Sequence, residues 1–319
     1  MQVYLEIDMP GHTSSIHHSF PELIAAYDLQ PSWNTVAAEP PSGTMKLNSS
    51  AVYDFLGTLW DDVLPRMAPH TKMWHTGGDE VNIKAYELDD TVQSSNPKVI
   101  QPLLQQFIDQ AHSRIRSSGL TPVVWEEMLL HHNITLGKDV IVQTWLDSAS
   151  TVKVVEAGHR VIVGTHTHWV SSREVRHAQT HMHGLTRSEQ YLDCGHGAWL
   201  DNSSGADETY PDWCGPRKNW RRIHSLDPLD GIPEYLHQLV LGGEVSLWSE
   251  QTDEVNLDVM LWPRTAATAE VLWSGARDMK KQSEASRRLT EMRDRLVAAG
   301  VRAEPVRMRW CEMEGGCVG

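Results

Sequence analysis

The amino-acid sequence predicts an α/β protein built on a parallel sheet or barrel. Two observations carry that expectation. Short apolar, β-branched runs alternate with segments of helical periodicity along the chain, the pattern of strands joined by crossover helices. Polar and Trp-rich residues also collect where those runs end: Asp8 and His12, Asp79 and Glu80, Trp125, Trp145, Trp248 and Glu250. The C-terminal ends of the strands are the face on which a (β/α)8 barrel carries its chemistry, so one pocket would gather them. At 319 residues the chain is long enough to bury a substantial core.

The elements follow in order. "VYLEI" (Val3–Ile7) reads as a strand and runs into "DMPGH". Val52, Phe55, Leu56, Leu59, Trp60, Val63 and Leu64 recur at helical spacing, and Pro65 is expected to stop them. "KMWHTG" (Lys72–Gly77) is a second strand. Leu103, Leu104, Phe107, Ile108, Ala111 and Ile115 form a helical stripe, with Gly119 placed to terminate it. "TPVVWEE" (Thr121–Glu127), "VIVQTW" (Val140–Trp145) and "RVIVG" (Arg160–Gly164) are strand-like, the last two separated by a short helix ending near Gly158. "LVLGGEVSLW" (Leu239–Trp248) is the sixth strand candidate, and Asn256–Trp273 is expected to be helical.

The formal net charge of −14 argues against nucleic acid or an anionic membrane surface as a partner. No run is long enough to span a bilayer. Thirteen Trp against three Phe is an unusual aromatic choice; indole offers a flat face suited to sugar C–H groups as well as to core packing. The cysteines, Cys194, Cys214, Cys311 and Cys317, are even in number and lack the spacing of a zinc site. With N-glycosylation sequons at Asn48, Asn133 and Asn202 they favour an oxidising, secretory route. No signal peptide follows Met1.

"WHTGGDEVN" (Trp74–Asn82) sets Asp79 and Glu80 side by side behind two glycines. Alone, such a pair reads as a solvated loop or a helix N-terminus. In context, "EIDMPGH", "HTGGDEV", "VVWEE", "VIVQTW", "YLDCG" and "GGEVSLWSE" stand in the order found in family 20 β-N-acetylhexosaminidases of fungal type. The resemblance runs from about Val3 to Cys317. It implies an incomplete (β/α)8 TIM barrel, strands 3–8 with C-terminal helices, as one catalytic domain over 1–319. It also implies exo-hydrolysis of terminal N-acetylglucosamine or N-acetylgalactosamine from chitooligosaccharides or glycoconjugates, with no metal and no cofactor.

In that family the nucleophile is the substrate's own 2-acetamido carbonyl oxygen. By resemblance, Glu80 is the general acid and then base, and Asp79 orients the acetamido N–H and stabilises the developing charge. Tyr191 donates to the acetamido oxygen, while His12, with Asp8 nearby, supports Glu80. Trp125, Trp145 and Trp248 wall the sugar pocket; Asp193 and Glu250 bind its hydroxyls. His75 ranks below His12 as a neighbour of the acid. Fungal members carry a disulfide at the position of Cys194, which implies Cys194–Cys214 and Cys311–Cys317, among three connectivities that are formally open.

Two departures stand out. The family has a small α/β domain and two barrel strands ahead of "EIDMPGH", with an Arg and an Asp of the sugar site; neither has a counterpart here. The full protein is therefore expected to be longer, with secreted or lysosome-like localisation, and a homodimer stays open for it. The alternative, second to the enzyme, is that the chain as written is an inactive truncated fragment or a carbohydrate-binding remnant. Second, His166–Arg187 interrupts the path to Tyr191 with five histidines. A tolerated loop, a metal site through His166, His168, His181 and His183, and a translated intron compete there, and the intron is preferred.

Overall fold

The computed structural model describes residues 3–165, 191–193, 217–275 and 282–313. The chain divides into two compact units, Met1–Gln143 with Lys153–Val161, and Thr144–Val152 with Ile162–Gly319. The insertion His166–Arg187 lies outside the described residues. Cys194, Cys214, Cys317 and the sequon at Asn202 lie outside them too, whereas Cys311 takes part in a disulfide.

The first unit opens with a small antiparallel pair, β1 (Ile24–Ala25) on β2 (Thr44–Met45). Next come α1 (Ser50–Met67), β3 (Met73–His75), α2 (Pro97–Ser117), β4 (Thr121–Trp125), α3 (Glu126–Leu130) and β5 (Ile141–Thr144). After α4 (Ser148–Glu156), β6 (Arg160–Val163) follows. Parallel pairing sets Met73 opposite Thr121 and His75 opposite Val123, then Val123 opposite Ile141 and Trp125 opposite Gln143. Pro122–Trp125 and all of β5 are buried, as parallel strands covered on both faces must be. The helices supply the cover: Leu104 and Ile108 of α2 are fully buried, and Trp60 of α1 meets Trp74 of β3 edge to face at 5.4 Å.

Helix α2 illustrates how local sequence fixes the ends. Asn96 caps it by accepting from the Lys98 amide at 3.0 Å, and Pro97 takes the first position, where no N–H is needed. At the other end Gly119 adopts φ 77°, the Gly119 amide bonds Arg116 O and the Leu120 amide bonds Ile115 O, a Schellman closure.

Four sequence expectations need correction. Val3–Ile7 forms only a single bridge, Glu6 to His75, flanked by the bonds of the His75 amide to Leu5 O and of the Ile7 amide to His75 O. Pro65 does not stop α1, which continues to Met67; a missing amide in the last turn removes one bond, and Ala68 still donates to Leu64 O. "TPVVWEE" leaves the strand at Trp125, and Glu126 and Glu127 form the first turn of α3, where acidic side chains suit the helix dipole. Asn256–Trp273 is two helices, α6 (Leu257–Leu261) and α7 (Arg264–Ser274). Pro263 forces the preceding Trp262 into an extended conformation, ψ 137°, and breaks the run.

Within the second unit Gly164 donates to Thr144 O and Glu244 to Val163 O, and β7 (Val240–Gly243) is the neighbour of β6 in the sheet order. Around it stand α5 (Trp220–His224), α6, α7 and α8 (Gln282–Ala298). Leu192, Ile223, Ala267, Ala285 and Leu289 make a continuous apolar core among them. Among the described residues no helix is long and apolar enough to cross a membrane.

Candidate active site

Strand β3 delivers the acidic pair. After His75 the backbone turns through Gly77 at φ 67° and Gly78 at φ 99°, conformations that side chains disfavour. Space imposes the same choice, since a methyl on Gly77 would lie 1.6 Å from Asp8 Oδ1. Asp8 itself pins the turn by accepting from the Gly78 amide at 2.9 Å. Glu80 then sits at φ 52°, an unusual value for a residue with a Cβ, and its amide donates to Glu127 Oε1 at 3.4 Å. Asp79 is thereby largely buried and Glu80 partly open to solvent, with side chains 13 % and 30 % exposed.

His12 reaches both carboxylates. Its Nε2 lies 3.4 Å from Glu80 Oε2 and 3.6 Å from Asp79 Oδ2, and its Nδ1 lies 3.6 Å from Glu39 Oε1. Burial disfavours the charged ring, but the hydrogen bond to Glu80 and the charges of Asp79 and Asp8 outweigh it and lift His12 to about 10. Asp8 is held well above the usual carboxylate range by burial and by the neighbouring Asp79. Burial raises Asp79 as well, against the pull of the His12 cation and of a hydrogen bond from Asp8. Of the two aspartates Asp8 is the more strongly raised, through burial and the charge of Asp79. Asp79 Oδ1 is buried with no hydrogen-bond partner, so the site retains one unused acceptor.

A second polar group backs this one. The Trp125 indole donates to Glu6 Oε1 at 2.8 Å, and His75 Nδ1 lies 3.2 Å from the same oxygen while accepting from the Gly77 amide. Burial would raise Glu6, but His75 and the Trp125 hydrogen bond hold it below its ordinary value. Trp125 is only 3 % exposed and packs 4.9 Å from the His75 ring.

The first unit therefore brings together Asp8, His12, Asp79 and Glu80, with His75 and Trp125 behind them. The second unit assembles the other expected residues among themselves. Tyr191 is buried with Trp145 packed against it, its ring lies 6.4 Å from that of Trp248, and the Trp248 amide donates to Asp193 Oδ1. Glu250 stands exposed two residues further on. Sequence reasoning missed Glu6, Glu39 and Glu127. Glu6 could have been found, since it lies two residues before Asp8 and shares its face of an extended chain. Glu39, in a Pro-rich loop, carries no such signal.

Asp8, His12 and Asp79 place one ligand atom each within 4.8 Å of one another, which is geometrically adequate for a cation. A metal there would require His12 and both aspartates to be deprotonated, whereas the carboxylates around His12 favour its protonated form.

Residues 1–276 match the glycosyl hydrolase family 20 catalytic domain. The chain belongs to that family. Family 20 relatives include a β-hexosaminidase of Arthroderma benhamiae, 43 % identical over 99 % of this chain and 51 % of that protein. A chitooligosaccharidolytic β-N-acetylglucosaminidase of Ostrinia furnacalis is 29 % identical over 99 % of this chain and 51 % of its own length. The family 20 exo-β-N-acetylglucosaminidase of Vibrio harveyi, solved with N-acetylglucosamine, superposes with a TM-score of 0.65 at 20 % identity, covering 97 % of this chain and 44 % of that one. The fold is thus that of the family 20 barrel, and the parallel strands with their helices form an incomplete (β/α)8 barrel. The chain spans about half the length of the curated relatives it matches.

Proposed function

We propose that this chain carries the acid machinery of an exo-β-N-acetylhexosaminidase that removes terminal N-acetylglucosamine or N-acetylgalactosamine from chitooligosaccharides or glycoconjugates. The observation that carries the proposal is the Asp79–Glu80 pair, aimed by Gly77–Gly78 and bridged by His12, with Asp79 Oδ1 left as an unused buried acceptor. A 2-acetamido N–H is a donor suited to that oxygen. Held there, the acetamido carbonyl oxygen attacks the anomeric carbon and forms an oxazolinium ring, while Glu80 protonates the departing glycosidic oxygen. Glu80 then takes a proton from water, which opens the ring with net retention. His12 fixes both carboxylates, and Asp8 holds the Gly77–Gly78 turn that presents Asp79.

Trp145, Tyr191, Asp193 and Trp248 are assigned to the sugar, with Tyr191 donating to the acetamido oxygen; Glu250 is assigned to a hydroxyl. Trp125, with its indole N–H on Glu6, is assigned to the inner wall. The whole of 1–319 is taken as one catalytic domain, with 166–187 an atypical insertion. An exported or lysosome-like setting would suit glycans at Asn48, Asn133 and Asn202 and the bridges Cys194–Cys214 and Cys311–Cys317.

Release of nitrophenol from an aryl N-acetyl-β-glucosaminide tests the proposal. Turnover by the wild type, with Glu80→Gln impaired most on an unactivated chitooligosaccharide, supports it. Saturable binding of N-acetylglucosamine with no turnover would mean a carbohydrate-binding remnant and would defeat it.

A further inference from the structure

Apart from the acid cluster, the second unit contains a cleft of about 420 Å³ at the start of α5, the α6–α7 junction and the segment around Val306. Arg217, Lys218, Arg221, Arg264 and Arg307 line it against a single carboxylate, Glu304. In a chain of formal net charge −14 this gathering of cations runs against the composition. Internal contacts account for part of it. Arg217 pairs with Glu304 at 2.8 Å, and the Arg221 guanidinium lies 5.4 Å over the Trp220 ring.

Arg264 and Arg307 are different. Arg264 is 2 % exposed; its Nη groups donate to the carbonyl oxygens of Lys218 and Met260, but its Nε is buried without a partner. The Nε of Arg307 is likewise buried and unpartnered, and Arg307 makes no ion pair among the described residues. Burial and the charge of Arg217 push Arg264 down to about 10. The lining carries five cationic side chains against one carboxylate, and an oxyanion with several acceptor oxygens offsets that excess of charge. Guanidinium forks match tetrahedral oxyanions in particular. Trp220 and the two prolines of the lining add apolar wall, and the volume is that of a small-molecule site rather than of a bare ion.

We infer that this cleft binds a tetrahedral oxyanion, phosphate or sulphate, free or carried on a sugar. The inference stands apart from the glycosidase chemistry, and its test needs no activity assay. Isothermal titration of the full chain with inorganic phosphate, sulphate and glucose 6-phosphate, at ionic strength held constant with sodium chloride, should give saturable binding. Arg307→Gln should weaken it about tenfold or more, since one charge-assisted donor is lost. Arg302→Gln, whose side chain pairs instead with Asp258, should leave it unchanged. Tighter binding of glucose 6-phosphate than of phosphate would identify an ester as the ligand, and equal or weaker binding a free anion. No saturable binding by the wild-type chain, or equal affinity in Arg307→Gln, overturns the inference.

Discussion

Glu80 is held in the left-handed backbone region at φ 52°, as His12 is, with its amide on Glu127. Its role implies that Glu80→Gln lowers kcat on substrates with poor leaving groups by about 10²–10⁴-fold, the range of a general acid. Asp79→Asn keeps the shape but loses an acceptor for the acetamido N–H, and kcat should fall about 10²-fold or more with KM little changed. Gly77→Ala meets both a positive φ and the carboxyl of Asp8, and should cost at least ~2 kcal/mol, read as a lowered Tm. His12 makes a pH prediction. Its proton affinity is raised by folding, to about 10, from an unfolded value of about 6.5. The stabilisation is therefore complete below the unfolded value and is lost as pH rises through about 10. Urea midpoints of the wild type should fall across that window, and those of His12→Asn should fall less. At this scale the sequence made Asp79, Glu80, His12 and Asp8 legible because one motif order carries them. Glu39 and Glu127 were not, since nothing in the sequence says that a Pro-rich loop or the first turn of α3 returns to the acid pair.

Elements were legible where one force dominated. The apolar stripe of α2, with Gly119 beyond it, was read correctly because periodicity and the closing glycine agree. A methyl on Gly119 would meet nothing within 4 Å, so Gly119→Ala isolates the backbone term and should destabilise by ~1 kcal/mol in urea titration. Legibility failed where two preferences competed. The apolar pattern of 256–273 continues through Pro263, but the extended Trp262 ends one helix and starts another. Glu126 and Glu127 follow a strand yet begin a helix, and this change of direction gives Glu127 its hold on the Glu80 amide. Glu127→Gln should accordingly lower kcat more than it lowers Tm, and a loss of Tm alone would make the contact merely structural.

For the whole molecule, family membership and barrel class came from motif order, which survives even though the first expected strand is reduced to a bridge. The acid cluster belongs to one compact unit, and the Tyr191–Trp248 group and the basic cleft to the other. Composition anticipated neither the cleft nor the division, because a net charge is a sum and says nothing of where its minority sign gathers. The central claim is that the sugar's own amide is the nucleophile, steered by Asp79 and protonated by Glu80. It is tested most directly by kcat/KM for nitrophenyl N-acetyl-β-glucosaminide against nitrophenyl β-glucoside, which has a 2-hydroxyl in place of the amide. The account predicts a ratio of about 10³ or more in favour of the amide. Comparable values for the two substrates would contradict it.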